Sequence, residues 1–319
     1  MVNQMKKMLT IATALAVVLS TFSGCAKKSD GKISIGVIQL VEHSALDANY
    51  QGFVDGLKDA GYVDGENITI DYQNAQNEQA NCTTIADKFV SDKKDLIFAI
   101  ATPAAQAIAA KTETIPVLIS SVTDPKSAGL VDSNENPGHN ITGTSDLTPC
   151  AAQIDLIKQI VPSAKKVGML FCSAEDNSRF QVNLAEAECK KIGLDFEEFT
   201  VSNQNEVMTV VQSMVGKVDV IYTPTDNMIA ATMGVVGEVA TEAKIPVICG
   251  EDGMVKSGGL ATYGLNYYQL GKQTAVMAVE ILKNGKNPGS MPIQYLETCD
   301  FSYNEEVAGL LGLDLSKFN

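Results

Sequence analysis

The chain is poor in the residues that bind anions and metals. Over 319 residues it carries 24 Lys and Arg against 38 Asp and Glu, a net charge of −14. Arg179 is its sole arginine. A phosphate backbone needs a basic face, so nucleic acid is excluded as a partner. Sites for phosphate or dicarboxylates usually use arginine forks. Their scarcity favours a neutral or zwitterionic ligand, which leaves helix N-termini to hold any anionic group. With only two histidines, a multi-His metal site is not available. Tryptophan is absent. No CxxC occurs among the seven cysteines, which argues against a zinc or redox centre. Catalytic signatures are missing too. There is no GxSxG elbow, HExxH or EF-hand loop. The Gly-Lys-Gln-Thr at Gly271 lacks the glycine that a phosphate loop needs five residues earlier. The first apolar run leads into VEHSALD rather than GxGxxG, against a dinucleotide fold. No cofactor is expected, and the chain reads as a non-enzyme.

What is present begins with an internal echo. Residues 219–231, DVIYTPTDNMIAA, read as a buried strand, a polar turn and the start of a helix. Residues 95–110, DLIFAIATPAAQAIAA, repeat that order. Each unit is followed by Ile-Pro-Val, at Ile115–Val117 and Ile245–Val247. Two copies of one strand–turn–helix–strand unit suggest two similar lobes.

The N-terminus reads as a targeting segment. Lys6 and Lys7 precede an apolar run over 8–19, and Phe22-Ser23-Gly24-Cys25 follows. The run is too short for a good membrane span, and no later run is longer. Residues 26–31 read as a tether. The other six cysteines permit 15 full pairings, and several lie in apolar segments, as buried free thiols do.

Further on, strand and helix alternate. Strands are expected at 33–40, 67–72, 95–101, 116–120 and 141–146. A second series is expected at 166–172, 196–201, 219–222, 247–249, 260–265 and 293–296. Helices fall between them, one running from the turn near 227 to 243 and another over 270–283. The pattern predicts α/β architecture, with two doubly wound lobes of parallel sheet.

In such sheets ligands bind at the carboxyl ends of strands. The turns there are 41–47, 102–105 and 121–124 in the first lobe, and 173–178, 223–227 and 250–252 in the second. A ligand carboxylate fits a helix N-terminus at Thr102–Ala105. A ligand ammonium needs an acid, with Asp226 as first choice, then Asp146 and Glu251. Thr102, Ser178 and Asp226 read equally as caps of their own helices. Leu46 and Met228 either line a pocket or staple a helix start.

Several stretches together carry a resemblance. These are the leader ending in Cys25, QLVEHSALDANYQGF, ATPAAQA, the TDP and TSD loops, PTDN, and GLNYYQLGKQTAVMAVEIL. They resemble the substrate-binding lipoproteins of a family of ABC importers, across essentially the whole mature chain. Phe22 departs from the leucine usual in their leaders. The resemblance implies the type I periplasmic-binding-protein fold, with two lobes, three hinge crossings and ligand in the cleft. It implies a signal peptide over 1–25, lipidation at Cys25 and an extracytoplasmic protein held to the cell membrane by lipid alone. Lobes are expected over 32–146 with 263–289, and over 147–262 with 290–319. The implied ligand is an aromatic amino acid, and the implied partners are an ABC permease and ATPase. Cleft roles carry over to His43, Leu46, Thr102, Ala104, Ala105 and Thr123. In the second half they carry over to Asp146, Asn177, Ser178, Asp226 and Asn227. A tethered ligand-sensing receptor and an extracytoplasmic enzyme on the same fold remain as alternatives.

Overall fold

The computed structural model describes residues 31–318. The leader, Cys25 and the tether up to residue 30 lie outside the described residues.

Continuous apolar runs form the first sheet. Its strands are β1 (Ile33–Gln39), β2 (Ile68–Asn74), β3 (Leu96–Ile100), β4 (Val117–Ser120) and β5 (Ile141–Gly143). They lie parallel in the order β2-β1-β3-β4-β5. Every residue of β3 is buried, because helices cover both faces of a doubly wound sheet. The helices are α1 (Ser44–Asp59), α2 (Gln79–Ser91) and α3 (Thr102–Ala109).

The second sheet uses β6 (Lys166–Cys172), β7 (Asp195–Val201), β8 (Val220–Thr223), β9 (Val247–Cys249), β10 (Ala261–Gly264) and β11 (Asp300–Tyr303). Their order is β11-β10-β9-β8-β6-β7. Helices α4 (Cys150–Ile160), α5 (Asp176–Ile192), α6 (Val207–Met214), α7 (Asn227–Ala231), α8 (Met233–Glu242) and α9 (Asp252–Lys256) accompany it. Helix α10 (Tyr267–Asn284) returns to the first lobe, and α11 (Glu305–Leu311) ends the second. The chain therefore passes between the sheets three times: after β5, between β10 and α10, and between α10 and β11. The first lobe's apolar core takes in Ala275, Met277, Ala278 and Ile281 from α10, and also Met291 and Ile293.

The return of α10 depends on small residues. A Cβ on Gly52 of α1 would lie 2.0 Å from the Tyr268 carbonyl oxygen, and one on Gly271 of α10 would lie 2.0 Å from that of Asn49. Glycine at both positions lets the two backbones approach, at a cost in helix propensity. Buried hydroxyls tie this contact to the first crossing: Thr144 bonds both Ser120 and Thr274 at 2.8 Å.

Four expectations need correction. The sheets are not wholly parallel, since β11 runs antiparallel to β10. Residues 293–296 form no strand, because Ile293 sits in the first lobe's core and Gln294 makes only an isolated bridge to Thr144. The last strand is β11, a few residues later. The helix expected to run on to 243 is broken at Thr232, whose hydroxyl donates to the Met228 carbonyl and whose backbone leaves helical geometry. The strand ending the first lobe stops at Gly143, before Asp146. All six cysteines from Cys82 to Cys299 are free, as their apolar settings suggested, and only Cys299 is not buried. No helix of the described residues is long and apolar enough to cross a membrane.

Candidate functional site

In the first lobe the turn after β3 is under strain. Ala101 has φ +83°, a region L side chains rarely adopt, and it precedes α3 as a cap residue with no side-chain bond to the helix. Thr102 opens α3 and does not cap it, and its buried hydroxyl has no partner. Pro103 suits the first turn, where its missing N–H is not needed. Ser121, just past β4, also has positive φ (+54°). Strain of this kind persists where the surroundings fix it, and often at ligand sites.

The matching turn in the second lobe is held differently. One Asp226 oxygen accepts from the Ile229 N–H at 2.8 Å, so the residue caps α7. The other accepts from the Cys172 N–H at 2.6 Å and the Ser178 hydroxyl at 2.7 Å. Ser178 thus ties α5 to this turn and does not cap its own helix. Glu175 adds a second carboxylate, accepting from the backbone N–H groups of Asn227 (3.2 Å) and Met228 (3.1 Å) and from both side-chain amides, Asn177 (3.0 Å) and Asn227 (2.6 Å). Both acids are buried, and burial raises both carboxyls; at Glu175 the neighbouring Asp226 charge adds to the rise.

Between the lobes lies a small cavity. Its walls are His43 and Leu46 from α1 and its approach, Ser121, and Asp146 on the first crossing. Thr225, Asp226, Asn227 and Ala230 face them from the second lobe, with Glu251, Met254 and Tyr267 closing the rest. Among the described residues, no Lys or Arg lines it. It has about 10 Å³ of room, enough for roughly one water molecule. Asp146 accepts from the Tyr267 hydroxyl at 2.8 Å and the Thr123 hydroxyl at 3.3 Å, and burial pushes its carboxyl up to about 6. Glu251 caps the N-terminus of α9 through the Gly253 and Met254 N–H groups, and burial raises it to about 7. His43 reaches across to Asn227, Nε2 to Oδ1 at 3.3 Å. Burial of its ring lowers it to about 4, and its buried Nδ1 has no partner.

Further bonds join the lobes. Gln181, held to Thr225 of its own lobe at 2.5 Å, donates across to Thr123 at 3.2 Å, and Gln106 donates to Asp176 at 2.9 Å. Of the residues expected in the cleft, His43, Leu46, Asp146, Asp226 and Asn227 line the cavity. Thr123 and Ser178 stand one hydrogen bond behind it, and Asn177 binds Glu175 and the Thr225 carbonyl at 3.2 Å. Thr102, Ala104 and Ala105 are buried at the start of α3 and do not line it. Sequence reasoning missed Glu175, Gln181 and Tyr267. Glu175 stood inside the turn 173–178 expected at the cleft, and nothing local shows that it serves a helix 52 residues away. Tyr267 fell between the strand expected to end at 265 and the helix expected from 270.

Comparisons with known proteins fit this geometry. A family model described as ABC transporter substrate binding protein matches residues 34–317. A tyrosine-binding protein from Clostridioides difficile is 43% identical, over 98% of this chain and 94% of its own length. A Streptococcus pneumonia ABC domain solved in complex with L-Trp superposes with a TM-score of 0.87 at 37% identity, covering 90% of this chain and 96% of that one. A ligand-free, open structure of a Clostridium difficile substrate-binding protein with adhesive properties is 47% identical, yet its TM-score is only 0.68, over 88% and 95% of the two chains. That relative is described as open, whereas bonds join the two lobes here. Two α/β lobes, three crossings and a cavity between them belong to the type I periplasmic-binding-protein fold, and the chain is a member of the ABC transporter substrate-binding protein family.

Proposed function

We propose that the protein captures an aromatic L-amino acid outside the cytoplasm and delivers it to an ABC permease and ATPase. The observation that carries this reading is the charge of the cavity: buried acids from the crossing and the second lobe, and no basic side chain. A ligand that brings its own ammonium group is the natural complement. Asp146 is the better partner for it than Asp226. The acceptors of Asp226 and Glu251 serve backbone N–H groups of helix starts, whereas the side-chain partners of Asp146 are two hydroxyls that can turn away. The ligand carboxylate belongs at the uncapped start of α3, near Thr102, Ala104 and Ala105. Leu46, Ala230 and Met254 supply an apolar wall for the ring, with a thioether in place of an aromatic stacking partner. His43, Asn227, Asn177, Ser178 and Thr123 orient these groups. The relatives named for tyrosine and solved with L-Trp support the aromatic class.

The room left in the closed cavity is far too small for an amino acid, so capture requires the lobes to separate and then close over the ligand. The moving bodies are the first lobe with α10 and the second lobe with β11 and α11, turning about the three crossings. Lipidation at Cys25 would tether the protein to the membrane. Calorimetry with L-tyrosine, L-tryptophan and L-phenylalanine tests the reading directly. Saturable one-to-one binding of at least one is expected. Absence of heat with all three, with mass spectrometry identifying a different co-purified ligand, would overturn it. Cys25→Ala should release the protein from the membrane fraction; if it remains there, the anchor lies elsewhere.

A further inference from the structure

The cavity between the cleft turns is not alone among the described residues. Beside it lies a second, of about 370 Å³, within the size range of small-molecule sites. Glu251 and Tyr267 form the partition, since both line the two cavities. The second cavity is also built from both lobes. Ser44 and Ala48 come from α1, and Asp252, Lys256, Asp300 and Ser302 come from α9 and β11. The crossing at Leu265 and Asn266 forms its edge.

Its chemistry differs from that of a mere packing gap. Lys256 is its one basic residue, and it pairs with Asp252. The Glu251 oxygens are engaged by the N–H groups of α9. Asp300 adds a further carboxylate from the edge strand. The two tyrosines direct their hydroxyls elsewhere, Tyr267 to Asp146 at 2.8 Å and Tyr268 to Asp55 at 3.0 Å, so they offer this space their rings. Ser302 contributes a buried hydroxyl with no partner. Carboxylate, aromatic rings and an unpartnered hydroxyl together suit an organic cation.

We propose that this cavity is a second binding site, for a small aliphatic amine, and that its occupancy favours the closed lobes. The closure effect follows from the walls: an occupant touching α1 and Tyr268 on one side and α9 and β11 on the other keeps those contacts only while the lobes are together. By linkage, the amine and the cleft ligand then strengthen each other's binding. The site itself does not rest on which ligand the cleft takes.

Putrescine is the probe. Calorimetry at constant ionic strength, set with sodium chloride, should show one saturable site on the full chain. Asp300→Asn should weaken that binding about tenfold by removing the charge. Ala48→Phe, at a partly exposed position of α1, should block it by filling the space. Putrescine should also tighten L-tyrosine binding about fivefold or more in the wild type and leave it unchanged in both variants. A heat equal to that of the salt alone, or equal putrescine binding by all three proteins, overturns the site. Putrescine binding with no change in L-tyrosine affinity overturns the link to closure. If L-tyrosine fails to bind at all, the cleft reading falls, and the putrescine titrations still decide this one.

Discussion

The two echoed turns look alike in sequence and do opposite work. Both follow a buried strand, both contain Thr-Pro, and both open into a helix. After β3 the helix start has no side-chain cap, a strained Ala101 and no titratable group. After β8 the helix start is capped twice, by Asp226 and by Glu175 from a neighbouring loop. The first turn keeps its positive helix end available to a ligand. The second directs that end at its own carboxylates and presents amides and a hydroxyl, Asn227 and Thr225, instead. A repeat therefore transmits architecture without transmitting chemistry, and the acid proposed to answer a ligand ammonium lies in neither turn but at Asp146 on the crossing.

The sharpest way to break this division is Asp146→Asn. Removing one member of a buried ion pair costs roughly 3–5 kcal/mol. That is about a 100- to 5,000-fold loss in affinity. Calorimetry should show the loss for L-tyrosine while the melting temperature of the ligand-free protein holds or rises, because the buried carboxylate carries a desolvation penalty there. Full binding by the variant would return the role to Asp226 or Glu251.

Asp226→Ala should do the reverse. It strands the Cys172 N–H, the Ser178 hydroxyl and the Ile229 N–H in the interior. A lost cap and unsatisfied buried donors together cost on the order of 2–4 kcal/mol of stability. Denaturant unfolding should show that loss. A variant that unfolds normally but no longer binds would make Asp226 a ligand residue first and a cap second.

How much of this was legible in the sequence divides along the same line. The strands and the two-lobe plan were readable because continuous apolar runs and Thr-Pro turns act locally. The break at Thr232 and the glycine contacts of α1 with α10 were not, since they depend on which side chain or backbone lies opposite. The site shows the contrast within single residues. His43, Leu46, Asp146, Asp226 and Asn227 were found because they stand in turns at strand ends. The cap role of Asp226 stood beside its ligand role in the sequence, but its two extra donors could not be read there, because they come from Cys172 and Ser178, 54 and 48 positions away. Glu175 escaped notice for the same reason.

On the first-lobe side, Ala101→Gly sharpens the comparison. Glycine adopts φ +83° without the Cβ clash, so relief of strain and the greater freedom of the unfolded chain nearly oppose each other, with a net change within about 1 kcal/mol. If the strain serves only the fold, ligand affinity should not move. If it aims the start of α3 at the ligand carboxylate, affinity should fall while stability does not, and parallel melting and calorimetry separate the two outcomes.

The last effect is the dependence on pH, and it should belong mainly to the crossing and the second lobe. Burial holds Asp146 near 6 against an ordinary 3.8, and Glu251 near 7 against 4.5. Glu175 and Asp226 are raised as well. A carboxyl raised in the folded protein binds a proton that the unfolded chain does not, so acid stabilises the folded protein, lobes together, over the unfolded chain in this window. That gain is lost as pH rises through about 6 and then 7. His43 works in the other direction. Held near 4 against 6.5, its contribution is complete above 6.5 and falls away as pH drops towards 4. Several raised carboxyls outweigh one lowered imidazole, and the net gain between about pH 7.5 and 5.5 is on the order of 1–3 kcal/mol. Ligand-free protein should therefore melt slightly higher, and scatter as a slightly smaller particle, at the lower pH. His43→Asn should enlarge both changes by removing the opposing group. A melting temperature that falls with acid over this range would show that the buried acids stay ionised, and that the lobes stand open when no ligand holds them together.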